Sequence, residues 1–72
     1  INLNEDYDLQ LTYADKAINY NNSNAYFFSH KGHILYKLKN FEDTVKFYLK
    51  AIELNKLEPE FYKRLADTYK SI

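Results

Sequence analysis

The sequence predicts an all-α fold of four antiparallel helices, on three observations. The 72 residues include one glycine and one proline, so few positions interrupt a helix. Apolar residues recur at steps of three and four along most of the chain, which is the period of an amphipathic helix. Short polar stretches separate four such segments, and connections this short place neighbouring helices antiparallel. We therefore expect one helical domain over residues 1–72.

The first two helices are predicted at about residues 5–20 and 25–38. Their apolar positions are Tyr7, Leu11, Ala14 and Ile18 in the first, and Phe27, Phe28, Ile34, Leu35 and Leu38 in the second. An Asn-rich stretch lies between them, and Ser23 or Asn24 is the expected N-cap of the second helix.

The third and fourth helices are predicted at about residues 41–54 and 59–71. Phe41, Val45, Tyr48 and Ile52 form one apolar stripe, and Phe61, Tyr62, Leu65, Ala66 and Tyr69 form the other. Pro59 suits the first turn of a helix, because the N–H that it lacks has no intrahelical partner there. Among the tyrosines, Tyr7, Tyr48, Tyr62 and Tyr69 are predicted in the core, whereas Tyr26 and Tyr36 are predicted to be exposed.

Composition and charge argue against nucleic acids and membranes as binding partners. Ten basic and ten acidic residues cancel, and a neutral domain lacks the positive field that attracts nucleic acid. No apolar run approaches the roughly 18 residues that span a bilayer, so no membrane partner is expected. With no cysteine, the chain has neither a disulfide nor a thiolate site. We expect a cytoplasmic or other intracellular location.

The sequence repeats itself after 34 residues. Under this shift Tyr7-Asp8 matches Phe41-Glu42, Lys16-Ala17-Ile18 matches Lys50-Ala51-Ile52, Asn21 matches Asn55, Phe27-Phe28 matches Phe61-Tyr62, and Gly32 matches Ala66. The match runs through two helices and the turn between them. It therefore predicts a repeated two-helix unit.

This period and pattern resemble the tetratricopeptide repeat (TPR) family. Residues 28–35 are similar to the family's first helix, residues 44–51 to its second, and residues 62–69 to the next first helix. The resemblance covers nearly the whole chain as half a repeat, a full repeat and half a repeat, expected to be a segment of a longer array. It implies a short right-handed α-solenoid.

Small residues mark the close helix contacts of such a repeat. Gly32 and Ala66 are expected where the two helices of a pair meet, and Ala17 and Ala51 where consecutive pairs meet. The chain departs from the family pattern at Gln10, Ala14, Lys31, Thr44 and Lys56.

The resemblance implies a scaffold that binds a peptide or helix of a partner protein in a concave groove formed by the first helices of the repeats. The expected groove residues are Tyr26, Ser29, His30, His33, Lys37, Glu60, Lys63, Arg64, Asp67 and Lys70. Some relatives hold the C-terminal carboxylate of a chaperone tail. Arg64 matches one residue of that site, but Glu60 stands in a lysine position and would repel the carboxylate.

Metal binding and catalysis are not expected. His30 and His33 lie three residues apart on a helix, but no cysteine or suitably spaced acidic residue completes a metal site. The sequence contains no phosphate-binding glycine loop, Ser/His/Asp set or nucleophile elbow, so we predict neither an enzyme nor a cofactor.

Self-association is the alternative function, because the terminal units of a repeat array normally carry polar outer faces. Here the first helix would lack its partner and the last would lack a cap, leaving apolar edges that favour a homodimer or end-to-end stacking. The expected edge residues are Leu9, Leu11, Tyr13, Phe61, Leu65 and Ile72.

Overall fold

The computed structural model describes residues 6–72, which form four α-helices and no strand. The helices are α1 (Tyr7–Tyr20), α2 (Ala25–Lys37), α3 (Phe41–Leu54) and α4 (Pro59–Ser71). The predicted all-α class is confirmed, and the predicted bounds agree to within about two residues. Residue 5, where the first helix was predicted to begin, lies outside the described residues. No described helix combines the length and apolarity needed to cross a membrane.

A polar side chain caps the N-terminus of each helix. The caps are Asp6, Asn24, Asn40 and Glu58, and each accepts a hydrogen bond from a backbone N–H of the first turn. Such a bond satisfies one of the backbone donors that a helix start leaves unpaired. Asn24, one of the two residues predicted to cap α2, is the cap.

The α2–α3 turn closes with a left-handed residue. Lys39 has φ 63°, its N–H bonds to the carbonyl of Tyr36, and the N–H of Asn40 bonds to the carbonyl of Leu35. This pair of bonds is the Schellman motif, in which glycine is the usual left-handed residue. The turn therefore reverses the chain tightly enough for α3 to lie antiparallel against α2.

Each helix packs mainly on its neighbours in sequence: α1 on α2, α2 on α3, and α3 on α4. Gly32 lies at a close approach of α2 and α3, where an added Cβ would sit 3.1 Å from the Tyr48 ring and 3.4 Å from Cβ of Phe47. The predicted close approach at Gly32 is confirmed. A buried cluster of Ala25, Phe28, Ala51 and Phe61 continues from this contact.

Two departures from the repeat pattern have a structural explanation. Thr44 is fully buried, and its hydroxyl donates to the carbonyl of Asn40, so no polar atom is left unpaired. Lys31 pairs with Asp15 of α1, and its ammonium lies 4.7 Å from the centroid of the Phe47 ring. Its aliphatic stem can therefore lie between α1 and α3 while its charge remains satisfied.

Candidate functional site

Helices α2 and α4 share one face of the molecule, and a cleft of about 220 Å³ lies between them. It is lined by Tyr26, Ser29, His30, His33, Glu60, Phe61 and Arg64. A smaller hollow of about 80 Å³ adjoins it, lined by His33, Tyr36, Tyr48, Arg64 and Asp67. Since His33 and Arg64 line both hollows, the two lie next to each other.

Arg64 of α4 forms a side-chain contact with α2 at the centre of the cleft. Its Nε lies 2.9 Å from Oε2 of Glu60, and its Nη1 lies 3.0 Å from Nδ1 of His33. Arginine has no acceptor atom, so Nδ1 of His33 must accept and the ring proton of the neutral histidine sits on Nε2. The Arg64 guanidinium lies near the hydroxyl of buried Tyr48, where its positive charge partly offsets the burial that raises the pKa of Tyr48. The guanidinium is therefore held in place by residues from α2 and α4.

This arrangement keeps His33 neutral. Burial lowers the pKa of His33 below its usual value, and the positive charges of Arg64, Lys37 and His30 lower it further. A proton added to Nδ1 would remove the acceptor of the Arg64 hydrogen bond and place two cations side by side. Below the pH at which His33 titrates, the α2–α4 contact is therefore weakened.

Tyr26 projects at one end of the cleft with its ring fixed. The ring packs edge-on against Phe61, with centroids 5.3 Å apart, and the hydroxyl donates to the carboxylate of Glu58. That hydrogen bond is the main cause of the raised pKa of Tyr26 and of the lowered pKa of Glu58. Tyr26 is nevertheless 55% exposed, so a preoriented aromatic surface faces solvent.

The structure brings most of the predicted groove residues together. Tyr26, Ser29, His30, His33, Glu60 and Arg64 line the main cleft, and Asp67 lines the adjoining hollow. Ser29 is buried, so it forms part of the floor of the cleft and not of its exposed rim. Lys37, Lys63 and Lys70 are exposed but line neither hollow.

Three lining residues, Tyr36, Tyr48 and Phe61, were not among the predicted groove residues. Tyr48 reaches the floor from α3, and Phe61 forms the wall beside Tyr26. Both fit the apolar helical stripe, which explains why periodicity placed them in packing positions. A tyrosine hydroxyl on a buried stripe was the signal for Tyr48, because that hydroxyl needs a polar partner.

Only some of the residues predicted to form apolar edges are exposed to solvent. Leu9, Tyr13 and Ile72 are exposed, while Leu11 and Leu65 are half-buried. The prediction that Phe61 lies on an exposed edge is wrong, because it is 1% exposed and packs in the core cluster. The expectation that Tyr62 and Tyr69 are core residues is also wrong. Both are exposed, since no described helix covers that side of α4.

Within the part of the chain that the structure describes, no three His, Cys, Asp or Glu residues are placed to hold a metal ion. His30 and His33 instead line the cleft. What the cleft offers chemically is an exposed aromatic ring, imidazole and guanidinium donors, and a carboxylate.

Comparison with known proteins agrees with the fold. The chain is 43% identical over 65 residues to TPR repeat-containing protein MJ1428 of Methanocaldococcus jannaschii. The match covers 90% of this chain but 11% of that protein, so the chain spans about a tenth of its relative's length. No family model matches the chain.

Four packed helices with a two-helix sequence repeat define a helical-repeat protein. The relationship to the archaeal protein specifies the class further: the chain is a TPR-like protein. TPR repeats are generally non-catalytic scaffolds, and the relationship indicates protein interaction at that general level.

Proposed function

We propose that the face shared by α2 and α4 is a groove that binds a peptide or short helix of a partner protein. The observation that carries the proposal is the convergence of residues about 30 positions apart in sequence on one cleft with a fixed, exposed aromatic ring. Exposed aromatic and arginine side chains are the residues that most often dominate protein-binding energy.

Preorganisation supports this role. Tyr26 is held by Phe61 and Glu58, and Arg64 is held by Glu60 and His33. Side chains that are already ordered lose little conformational entropy when a ligand arrives. The groove therefore needs few new contacts to reach a useful affinity.

The mixed charge of the cleft points to a mainly uncharged ligand segment. Arg64 and Glu60 neutralise each other, and His33 is held neutral. A strongly acidic tail would meet the carboxylates of Glu58 and Glu60, and a strongly basic one would meet Arg64. An apolar side chain placed on Tyr26, with backbone groups bonding His30 and His33, suits this surface.

The test uses peptides selected on the chain from a displayed random dodecapeptide library, with affinities measured by calorimetry. We expect Tyr26→Ala to weaken binding at least tenfold, because the ring is the main apolar contact. Tyr62→Ala is the matched control, since Tyr62 is similarly exposed but lies on the other side of α4.

Circular dichroism of both variants shows whether the fold is retained. Peptides that bind Tyr26→Ala as tightly as the wild type, or that lose affinity only with Tyr62→Ala, would place the binding surface elsewhere and refute the groove.

A further inference from the structure

The smaller hollow beside the main cleft is lined by a hydrogen-bond donor and an acceptor that are both incompletely used. Arg64 is the donor, and its contacts with Glu60 and His33 occupy two of the five N–H groups that a guanidinium carries. Asp67 is the acceptor. Its backbone carbonyl accepts from Ser71, but no described residue donates a hydrogen bond to its carboxylate. The hollow therefore retains hydrogen-bonding capacity of both kinds for a ligand.

The charges around this hollow favour an uncharged polar group. The side chains of Arg64 and Asp67 carry opposite charges, and the remaining walls include the rings of Tyr36 and Tyr48. A carboxylate placed here would be repelled by Asp67, and an ammonium group would be repelled by Arg64. A purely apolar side chain would displace water from both charged groups without giving either a partner, which is costly.

The size of the hollow restricts that group to a short side chain. A volume of about 80 Å³ holds about three water-sized groups, since one water molecule occupies about 30 Å³ in the liquid. Threonine, which has three non-hydrogen atoms beyond Cα, fits this space, and an aromatic side chain exceeds it. A hydroxyl also both donates and accepts a hydrogen bond, which matches the lining.

We propose that this hollow recognises a serine or threonine of the bound peptide, an inference that rests on the groove function proposed above. The ligand hydroxyl donates its proton to the carboxylate of Asp67 and accepts a hydrogen bond from Arg64. The methyl group of a threonine lies against the rings of Tyr36 and Tyr48. Asp67 is thus the residue that selects for the hydroxyl.

The position of the hollow also sets the spacing of the ligand residues. Tyr26, at the far end of the main cleft, and His33, which lines both hollows, lie seven residues apart on α2. This separation is about 10 Å along the helix axis. An extended peptide covers that distance in about three residues. The hydroxyl residue should therefore lie about three positions from the apolar residue that packs on Tyr26.

The test uses the selected dodecapeptides whose binding requires Tyr26. We expect them to share a serine or threonine about three positions from an apolar residue. Valine in place of that threonine, or alanine in place of serine, removes the hydroxyl. The affinity for the wild-type chain, measured by calorimetry, should then fall about tenfold or more, because a hydrogen bond to a charged group is lost. Asp67→Ala should weaken binding of the original peptide and bind both peptides about equally.

Glu42→Ala is the matched control. It removes the same charge from an exposed position on α3 that lines neither hollow of the cleft. This variant should distinguish the two peptides as strongly as the wild-type chain does. Asp67 is itself exposed, so Asp67→Ala should keep the fold, which circular dichroism checks.

The failure of this proposal is distinguishable from the failure of the groove. Peptides that require Tyr26 but share no serine or threonine would leave the groove intact and overturn the hydroxyl site. Equal affinity of the wild-type chain for both peptides would do the same. Discrimination that persists in Asp67→Ala would show that another residue reads the hydroxyl. If no selected peptide requires Tyr26, the groove is refuted and this proposal falls with it.

Discussion

Helices α2 and α4 carry the same pattern of residues 34 positions apart, but their equivalent faces have different surroundings. Phe28 is 9% exposed and Leu35 7%, whereas their counterparts Tyr62 and Tyr69 are 47% and 56% exposed. α3 covers that face of α2, and no described helix covers that face of α4. The comparison teaches that an apolar stripe encodes a surface suited to burial, while the neighbouring helix decides whether burial occurs.

The largest expected effect comes from truncating the same aromatic position in both helices. Phe28→Ala should lower the free energy of unfolding by about 3–5 kcal/mol, because it leaves a cavity between α2 and α3. Tyr62→Ala should cost about 1 kcal/mol or less, mainly through loss of the hydrogen bond from its hydroxyl to the Lys56 carbonyl. Urea unfolding of both variants measures the difference. Equal losses would show that the α4 face is also covered in solution.

A smaller effect is expected from enlarging the small residue on each face. Gly32→Leu should destabilise the fold by about 1–3 kcal/mol, because its side chain would collide with the Tyr48 ring. Ala66→Leu should change stability by about 0.5 kcal/mol or less, since Ala66 is exposed. Thermal unfolding of the two variants compares these effects. Tolerance of leucine at Gly32 would mean that α2 and α3 are less tightly packed than the structure indicates.

The smallest effect concerns the cleft that joins the two helices. The folded-state pKa of His33 lies below its unfolded value of about 6.5, so the unfolded chain binds the proton more tightly. Stability should therefore be fully present above pH 6.5 and fall as the pH drops through the folded-state pKa. Urea unfolding between pH 7.5 and pH 5 measures this fall, which His33→Gln should reduce.

His30→Gln is the control for that experiment, because His30 is exposed on the same helix and has no hydrogen bond to Arg64. A fall in stability that persists unchanged in His33→Gln would show that a different group titrates. If His30→Gln abolished the fall in stability, the group responsible would be His30 and not His33.

Local features were predictable because their causes are local. Helix bounds follow from the spacing of apolar residues, the Asn24 cap from its side-chain oxygen, and the position of Pro59 from its missing N–H. Gly32 was predictable because the repeat places a small residue where helices cross. Most of the cleft residues followed from the repeat frame once the first helices of the units were known.

Contacts between separate helices were not predictable from pattern alone. The Arg64–His33 and Tyr26–Glu58 hydrogen bonds join residues 31 and 32 positions apart. Whether such groups meet depends on the rotation of each helix about its axis, to within a fraction of a turn. The apolar stripe that periodicity defines is too broad to fix this rotation. Phe61 and Tyr62 are adjacent on the stripe of α4, yet Phe61 is buried and Tyr62 is exposed.

The sequence by itself determined an all-α repeat, its four helices and the face that each helix presents, because these depend on residue spacing and on backbone chemistry within a few residues. Only the tertiary structure decided which faces are covered, where Arg64 finds its partners, and which tyrosines remain in water. Those outcomes depend on which helix lies opposite, and the packing of neighbouring helices is a property of the assembled chain.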